Sequence, residues 1–177
     1  RHKVNFYDVI SLPNLFAAWK EFKRGKSRKS GMQEFAFRLE NNLFDLHERL
    51  SSGVWVNDPY TEKPIADPKP RLIHIASVCD RVLYQAVSRQ LYPIFDRTFI
   101  HDSYASRTGK GVLAGVIRLE EFVRKASRNY SRPVFVLKCD IWKFFDGIDH
   151  EILFSLLEKK VNDPDLLRML HDIISSF

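Results

Sequence analysis

One carboxylate stands where apolar residues are expected. In VFVLKCDIWKFFDGIDH (134–150), Asp140 closes a run of β-formers. Strand alternation puts Val134, Val136, Lys138 and Asp140 on one face and Phe135, Leu137, Cys139 and Ile141 on the other. The second face is wholly apolar and suits packing on helices; the first turns polar toward its end, where a sheet would meet a cleft. A carboxylate held rigidly there suits a hard divalent cation, because Mg²⁺ takes oxygen ligands, commonly one or two carboxylates with waters and substrate phosphates. Read alone, Asp140 is also a candidate strand terminator or helix cap. A second kind of chemistry lies in the cations. Lys63, Lys69 and Arg71 cluster around a proline-rich turn, and Arg107 and Lys110 sit beside glycines. Arginine grips phosphate in a bidentate way, and glycine lets a backbone approach closely.

Other groups reduce to ordinary roles. Asp146 and Asp149 precede a helix, where an aspartate caps free N–H groups. Asp80 and Arg81 open another and read as an N-cap with a structural ion pair. The histidines show no HExxH spacing, and Cys79 and Cys139 are far apart inside apolar patterns, so neither a zinc site nor a disulfide framework is indicated and both cysteines are expected in the core. Gly109 to Gly115 has the wrong spacing for a dinucleotide fingerprint and no strand before it.

The elements that must position these residues are mostly helical. Leu15, Phe16, Trp19 and Phe22 predict a helix over 13–25, started by Ser11 and Pro13. The basic run KEFKRGKSRK (20–29) follows at its end. Met32, Phe35, Leu39, Leu43, Leu46 and Leu50 predict one helix, with a Ser30/Gln33 capping box and Gly53 as stop. The stretch 54–76 predicts two short strands around a polar turn, the second holding Leu72, Ile73 and Ile75. Helices are expected over about 78–91, ended by Pro93, and over about 110–127, with the loop HDSYASRTGKG between them. Residues 134–141 predict a strand, followed by two helices, the last begun by Asp163 and Pro164. The fold class is α+β, with one strand awaiting partners.

Composition bounds the partners. The chain has 177 residues and a formal charge of +6; residues 146–177 hold seven acids against three bases, which leaves +10 on residues 1–145. A basic front part favours a polyanion. No apolar run reaches the roughly 18 residues of a membrane span and no signal peptide opens the chain, so the expectation is a soluble, intracellular protein without a membrane partner. Arg1 opens the chain without methionine and Phe177 ends it inside an apolar helical pattern, which suggests a fragment.

With these residues in view, IWKFFDGIDH after Asp140 resembles the first catalytic strand of the polymerase domain of reverse transcriptases, the bacterial retron-type and group II intron-type enzymes in particular. Two further stretches agree in order. KPRLIHIASVCDRVLYQAVSRQLYPIFD (69–96) resembles their fingers segment, and DSYASRTGKGVLAGV (102–116) resembles the next block, with Ala105-Ser106-Arg107-Thr108-Gly109-Lys110 departing from the common group II form. The resemblance covers roughly residues 69–172.

The resemblance implies fingers over 1–133, helices plus a basic hairpin, and the start of a right-hand palm over 134–177. It implies an RNA-directed DNA polymerase that joins deoxynucleoside triphosphates to a DNA or RNA primer on an RNA template by two-metal chemistry. Asp140 would hold both Mg²⁺ ions, with Mn²⁺ as a substitute, and the carbonyl of Ile141 would complete one sphere. Phe145, or Phe144 if the turn registers differently, would stack under the nucleotide sugar and exclude a 2′-hydroxyl; both also read as plain core residues. Lys69 and Arg71 would hold the triphosphate, while Arg107 and Lys110 would touch template or primer. Lys20, Lys23, Arg24, Lys26, Arg28 and Lys29 would bind RNA. The family also needs a Tyr/Phe-x-Asp-Asp motif, which these 177 residues lack, so the chain alone is expected to be inactive without the rest of the polymerase. The alternative is a non-catalytic, maturase-type RNA-binding module. An open strand edge and bare helix faces also predict a homodimer of the fragment.

Overall fold

The computed structural model describes residues 4–66 and 70–176, which form an α+β chain in two compact units, residues 1–93 with 149–177 and residues 94–148. In the first, the apolar spacing of the N-terminal region folds as α1 (Phe6–Ile10) and α2 (Leu12–Phe22), with Pro13 in the first turn of α2. α3 (Ser30–Phe37) and α4 (Leu39–Ser51) follow. Val9, Leu15, Ala18, Leu43 and Leu46 are fully buried, and Trp19 stacks on Phe35 with centroids 5.0 Å apart. Gly53 ends the α4 region at φ +72, a conformation that costs glycine least.

The single helix expected over 32–50 is broken at Arg38 (φ −117, ψ 33). The apolar stripe continues across the break, and Asn42 Nδ2 donates to Phe35 O at 3.0 Å, satisfying a carbonyl that the break leaves open. The Ser30/Gln33 capping box is not formed: Lys29 is the N-cap, and the backbone N–H of Gln33 bonds to Lys29 O at 3.1 Å.

The expected hairpin is present. β1 (Thr61–Ile65) pairs antiparallel with β2 (Arg71–Ile75), in the register Thr61 to Ile75 and Ile65 to Arg71. α5 (Val78–Phe95) then passes through Pro93 rather than ending at it. Proline there removes one N–H near a helix end, where fraying makes the loss cheap. The α5 face made by Val82, Leu83, Ala86 and Val87 is buried, and a polar seam ties α5 to α2. Asn14 Nδ2 donates to Val9 O (2.7 Å) and Ala86 O (3.2 Å), Arg89 Nε donates to Asn14 Oδ1 (3.1 Å), and Arg89 pairs with Glu21. α7 (His150–Glu158) and α8 (Pro164–Ser175) complete this unit, capped by Asp149 to Ile152 N (3.0 Å) and Asp163 to Leu166 N (2.8 Å). The cap expected of Asp149 is therefore formed.

The second unit holds a short 3₁₀ turn (Asp96–Thr98), the loop to Gly111, α6 (Val112–Ala126) and the segment to Ile148. It is thinly cored: α6 buries no residue fully. Residues 133–141 are not a strand, and Cys139 is exposed rather than in the core. The alternating pattern is there, but a strand exists only as part of a ladder, and no described residue supplies the paired N–H and C=O groups. Phe135 (97% exposed) and Leu137 (87%) are accordingly bare. Among the described residues no helix is long and apolar enough to cross a membrane.

Candidate functional site

Asp140 ends the extended segment and is exposed; its Oδ1 accepts the N–H of Ile141 at 3.0 Å. A tight turn follows because Lys143 sits at φ +46 and Gly147 N–H reaches back to Lys143 O at 3.0 Å. That turn carries Phe144 and Phe145 edge to face, with centroids 5.4 Å apart, and Phe145 is 79% exposed. Neither phenylalanine is buried among the described residues. Asp146 lies 3.9 Å from Lys143 Nζ, an exposed i,i+3 pair rather than the helix cap expected of it. Among the described residues no three His, Cys, Asp or Glu side chains converge as a metal-binding group. Asp140 and the Ile141 carbonyl are hard oxygen donors, a set that suits Mg²⁺ and needs further carboxylate to close a two-ion site.

The hairpin brings Arg71 to the start of β2, opposite Ile65; Lys69 lies outside the described residues. Its base is fixed by Asp80, 1% exposed in the first turn of α5. Asp80 Oδ2 accepts from Asp58 N–H and from Ser77 Oγ, each at 2.9 Å. Burial pushes the Asp80 carboxyl above its usual range, against those hydrogen bonds. Ser77 Oγ is the N-cap, taking Asp80 N–H at 3.0 Å, and Arg81 Nε donates to Ser77 O at 3.2 Å. The Asp80/Arg81 cap and ion pair is therefore replaced by a Ser77 cap with Asp80 as an inward acceptor. Beside them, burial pushes the Cys79 thiol up to about 11. Tyr84 donates to Asn57 Oδ1, and burial followed by Tyr60, whose hydroxyl lies 3.3 Å away, raises its pKa further.

In the loop before α6 the two predicted cations bind the loop itself. Arg107 Nε donates to Asp96 Oδ1 at 2.7 Å, and the rest of the guanidinium reaches the carbonyls of Ile100 (3.0 Å), Ser103 (3.3 Å) and Asp96 (3.2 Å). Its side chain is only 11% exposed. Lys110 Nζ donates to His101 O and stands 5.1 Å from the Tyr104 ring centroid. Asp102 accepts from His101 and Arg118 and from the Tyr104 hydroxyl (3.1, 3.0 and 3.1 Å), and those bonds, that of His101 first, hold its carboxyl below the usual range. Gly115 leaves room for this loop: a Cβ there would meet Tyr104 Cγ at 3.3 Å.

The third group, Lys20 to Lys29, joins α2 to α3. All six cations reach solvent, and two lean on rings: Lys23 Nζ is 5.9 Å from the Trp19 ring and Lys26 Nζ 4.2 Å from that of Phe22. Sequence reasoning missed the Asn14–Glu21–Arg89 seam. Its one signal was a lone asparagine inside the apolar run LPNLFAAW, two helical turns before Glu21.

No protein-family model matches the chain. It is 23% identical over 141 residues to Protein YkfC of Escherichia coli (strain K12). That alignment takes in 78% of this chain and 36% of the relative, so the chain spans about a third of the length of the curated protein it matches.

Proposed function

We propose that this chain is the fingers and the first part of the palm of a reverse transcriptase, which joins deoxynucleoside triphosphates to a primer on an RNA template when the remainder of the polymerase is present. The observation that carries the reading is the segment DIWKFFDGIDH, in which an aspartate is followed at four and five positions by two phenylalanines and then by a helix-capping aspartate. The basic hairpin and the SYASRTGKG loop precede it in the family's order.

Each residue has a task under this reading. The Asp140 carboxylate and the Ile141 carbonyl would hold Mg²⁺, which when bound activates the primer hydroxyl and stabilises the departing pyrophosphate. Phe145, presented outward by the Lys143–Gly147 turn, would pack under the sugar and leave no room for a 2′-hydroxyl. Arg71, at the start of β2, and Lys69 would meet the triphosphate by charge-assisted hydrogen bonds. Arg107 and Lys110 would act on template through the loop they hold in shape.

The test is primer extension on an RNA template by the full-length protein that contains this chain, unmodified and as Asp140→Asn, with RNA binding measured in the same samples. Synthesis that disappears while binding survives is the expected result. If the unmodified protein binds RNA and extends no primer, the chain belongs to a binding module and the polymerase reading is lost.

A further inference from the structure

Between the last turn of α2 and the start of α3, the ten residues KEFKRGKSRK hold six cations and one acid. That acid, Glu21, is taken by Arg89 and by Gln85 Nε2 at 3.1 Å. Five arginines elsewhere have carboxylate partners: Arg49 with Asp45, Arg89 with Glu21, Arg107 with Asp96, Arg118 with Asp102, and Arg168 with Asp165. Among the described residues, Lys20, Lys23, Arg24, Lys26, Arg28 and Lys29 have none. Six uncompensated charges in ten residues repel one another, and that repulsion destabilises the free protein unless an anion relieves it.

The segment is nevertheless ordered. Successive turns are closed by Arg24 N to Glu21 O (3.2 Å), Lys26 N to Lys23 O (3.0 Å), Lys29 N to Lys26 O (3.1 Å) and Met32 N to Lys29 O (3.0 Å). Gly25, at φ +70, lets the second of these turns, Lys23 to Lys26, reverse. Trp19 (3% exposed) and Phe22 (8%) lie beneath, with Lys23 and Lys26 over their rings and Arg81 5.3 Å from Phe22. The rings are covered, so they cannot stack on bases.

We infer that this loop is a preorganised clamp for the phosphodiester backbone of a nucleic acid, binding through charge and without reading sequence. Its geometry disfavours a lipid surface: residues 23–30 include no apolar side chain to enter one. Its evidence is independent of Asp140, although it deepens the polymerase reading by naming a nucleic-acid contact outside the catalytic segment.

The test is fluorescence anisotropy with the full-length protein and no nucleotide present, using labelled single-stranded RNA of two unrelated sequences and a DNA duplex, over a salt series. The variant K20Q/R24Q/R28Q/K29Q leaves the two lysines over the rings in place. Each phosphate contact contributes about 0.7 to the slope of log affinity against log salt for a single strand, so four contacts predict a slope smaller by about 3 and at least about a tenfold loss at 0.15 M salt. The two RNA sequences should bind alike; a preferred duplex would assign the clamp to double-stranded substrate. An unchanged slope and affinity in the variant overturns the inference, and so does equal binding to phosphatidylserine vesicles or equal competition by polyglutamate. Should the variant fail to fold, lysine acetylation of the unmodified protein decides: bound RNA must protect Lys20, Lys23, Lys26 and Lys29, and absence of protection overturns the clamp. Primer extension on saturating template separates the two proposals, because loss of the salt effect leaves extension standing and loss of extension leaves the clamp standing.

Discussion

Replacing Asp80 by alanine tests whether the hairpin is held from its base. Asp80 Oδ2 is the shared acceptor for Asp58 N–H and Ser77 Oγ, and the side chain is 1% exposed. Stranding a buried donor costs about 1–3 kcal/mol, so two give an upper bound of about 6. Two effects reduce it: Ser77 Oγ still caps the residue-80 N–H, and removal of a buried carboxylate relieves its desolvation. We expect Asp80→Ala to cost about 2 kcal/mol, or about 1 M in urea midpoint for a slope near 2 kcal/mol/M. Trp19 and Trp55 are both buried in the unit that contains the hairpin, so their fluorescence reports its unfolding. Asp80→Asn keeps an acceptor oxygen and should cost less. It also sets the sign with pH. Because the folded carboxyl lies above its ordinary value, its contribution to stability is present below about 4 and is lost as pH rises through the folded value. The stability difference, unmodified chain minus Asp80→Asn, must therefore grow on acidification, and subtraction cancels the other carboxylates. An alanine variant with an unmoved midpoint, or a difference that shrinks on acidification, refutes the assignment.

Two further outcomes follow from burial and bonding. Arg107→Gln removes the fork that joins Asp96 to three carbonyls, so amide exchange at Ser103 and Lys110, whose N–H groups close turns in this loop, should accelerate by about tenfold or more; unchanged exchange would show that the loop holds itself. Cys139 is exposed and Cys79 is half-buried with its thiol pushed up to about 11, so a thiol reagent at pH 8 should modify one cysteine rapidly, identified as Cys139 by peptide mass, and two equal fast phases would contradict the packing.

What could be read from the sequence was local. The Asp149 and Asp163 caps and the Gly53 stop each depend on residues within a few positions of one another, and the β1–β2 hairpin on two strands consecutive in the chain. The break at Arg38 left no trace because the apolar stripe runs through it, and the compensating bond comes from an asparagine seven positions after the carbonyl it meets. The burial of Asp80 was equally hidden, since its partner Asp58 lies 22 residues earlier and polar contacts between distant elements have no period. Arg107 looked like a phosphate ligand because its glycine-rich surroundings suit one. In the fold, the guanidinium is held by Asp96, Ile100 and Ser103, all of which precede it in the chain.

The segment 134–145 shows why a strand's chemistry and its pairing are separate statements. Its alternating pattern marks which side chains would share a face, whereas the ladder needs donors and acceptors on other segments. With Phe135, Leu137 and Trp142 all largely exposed, burying them against further polypeptide would release roughly 1.5–3 kcal/mol each. Asp140 stands inside that apolar surface, so the polypeptide that covers it would also strip water from the carboxylate and demand a cation or donor there. The proposed polymerase would meet both demands at once: neighbouring palm strands would bury the hydrophobic residues and would bring the carboxylates with which Asp140 would share Mg²⁺.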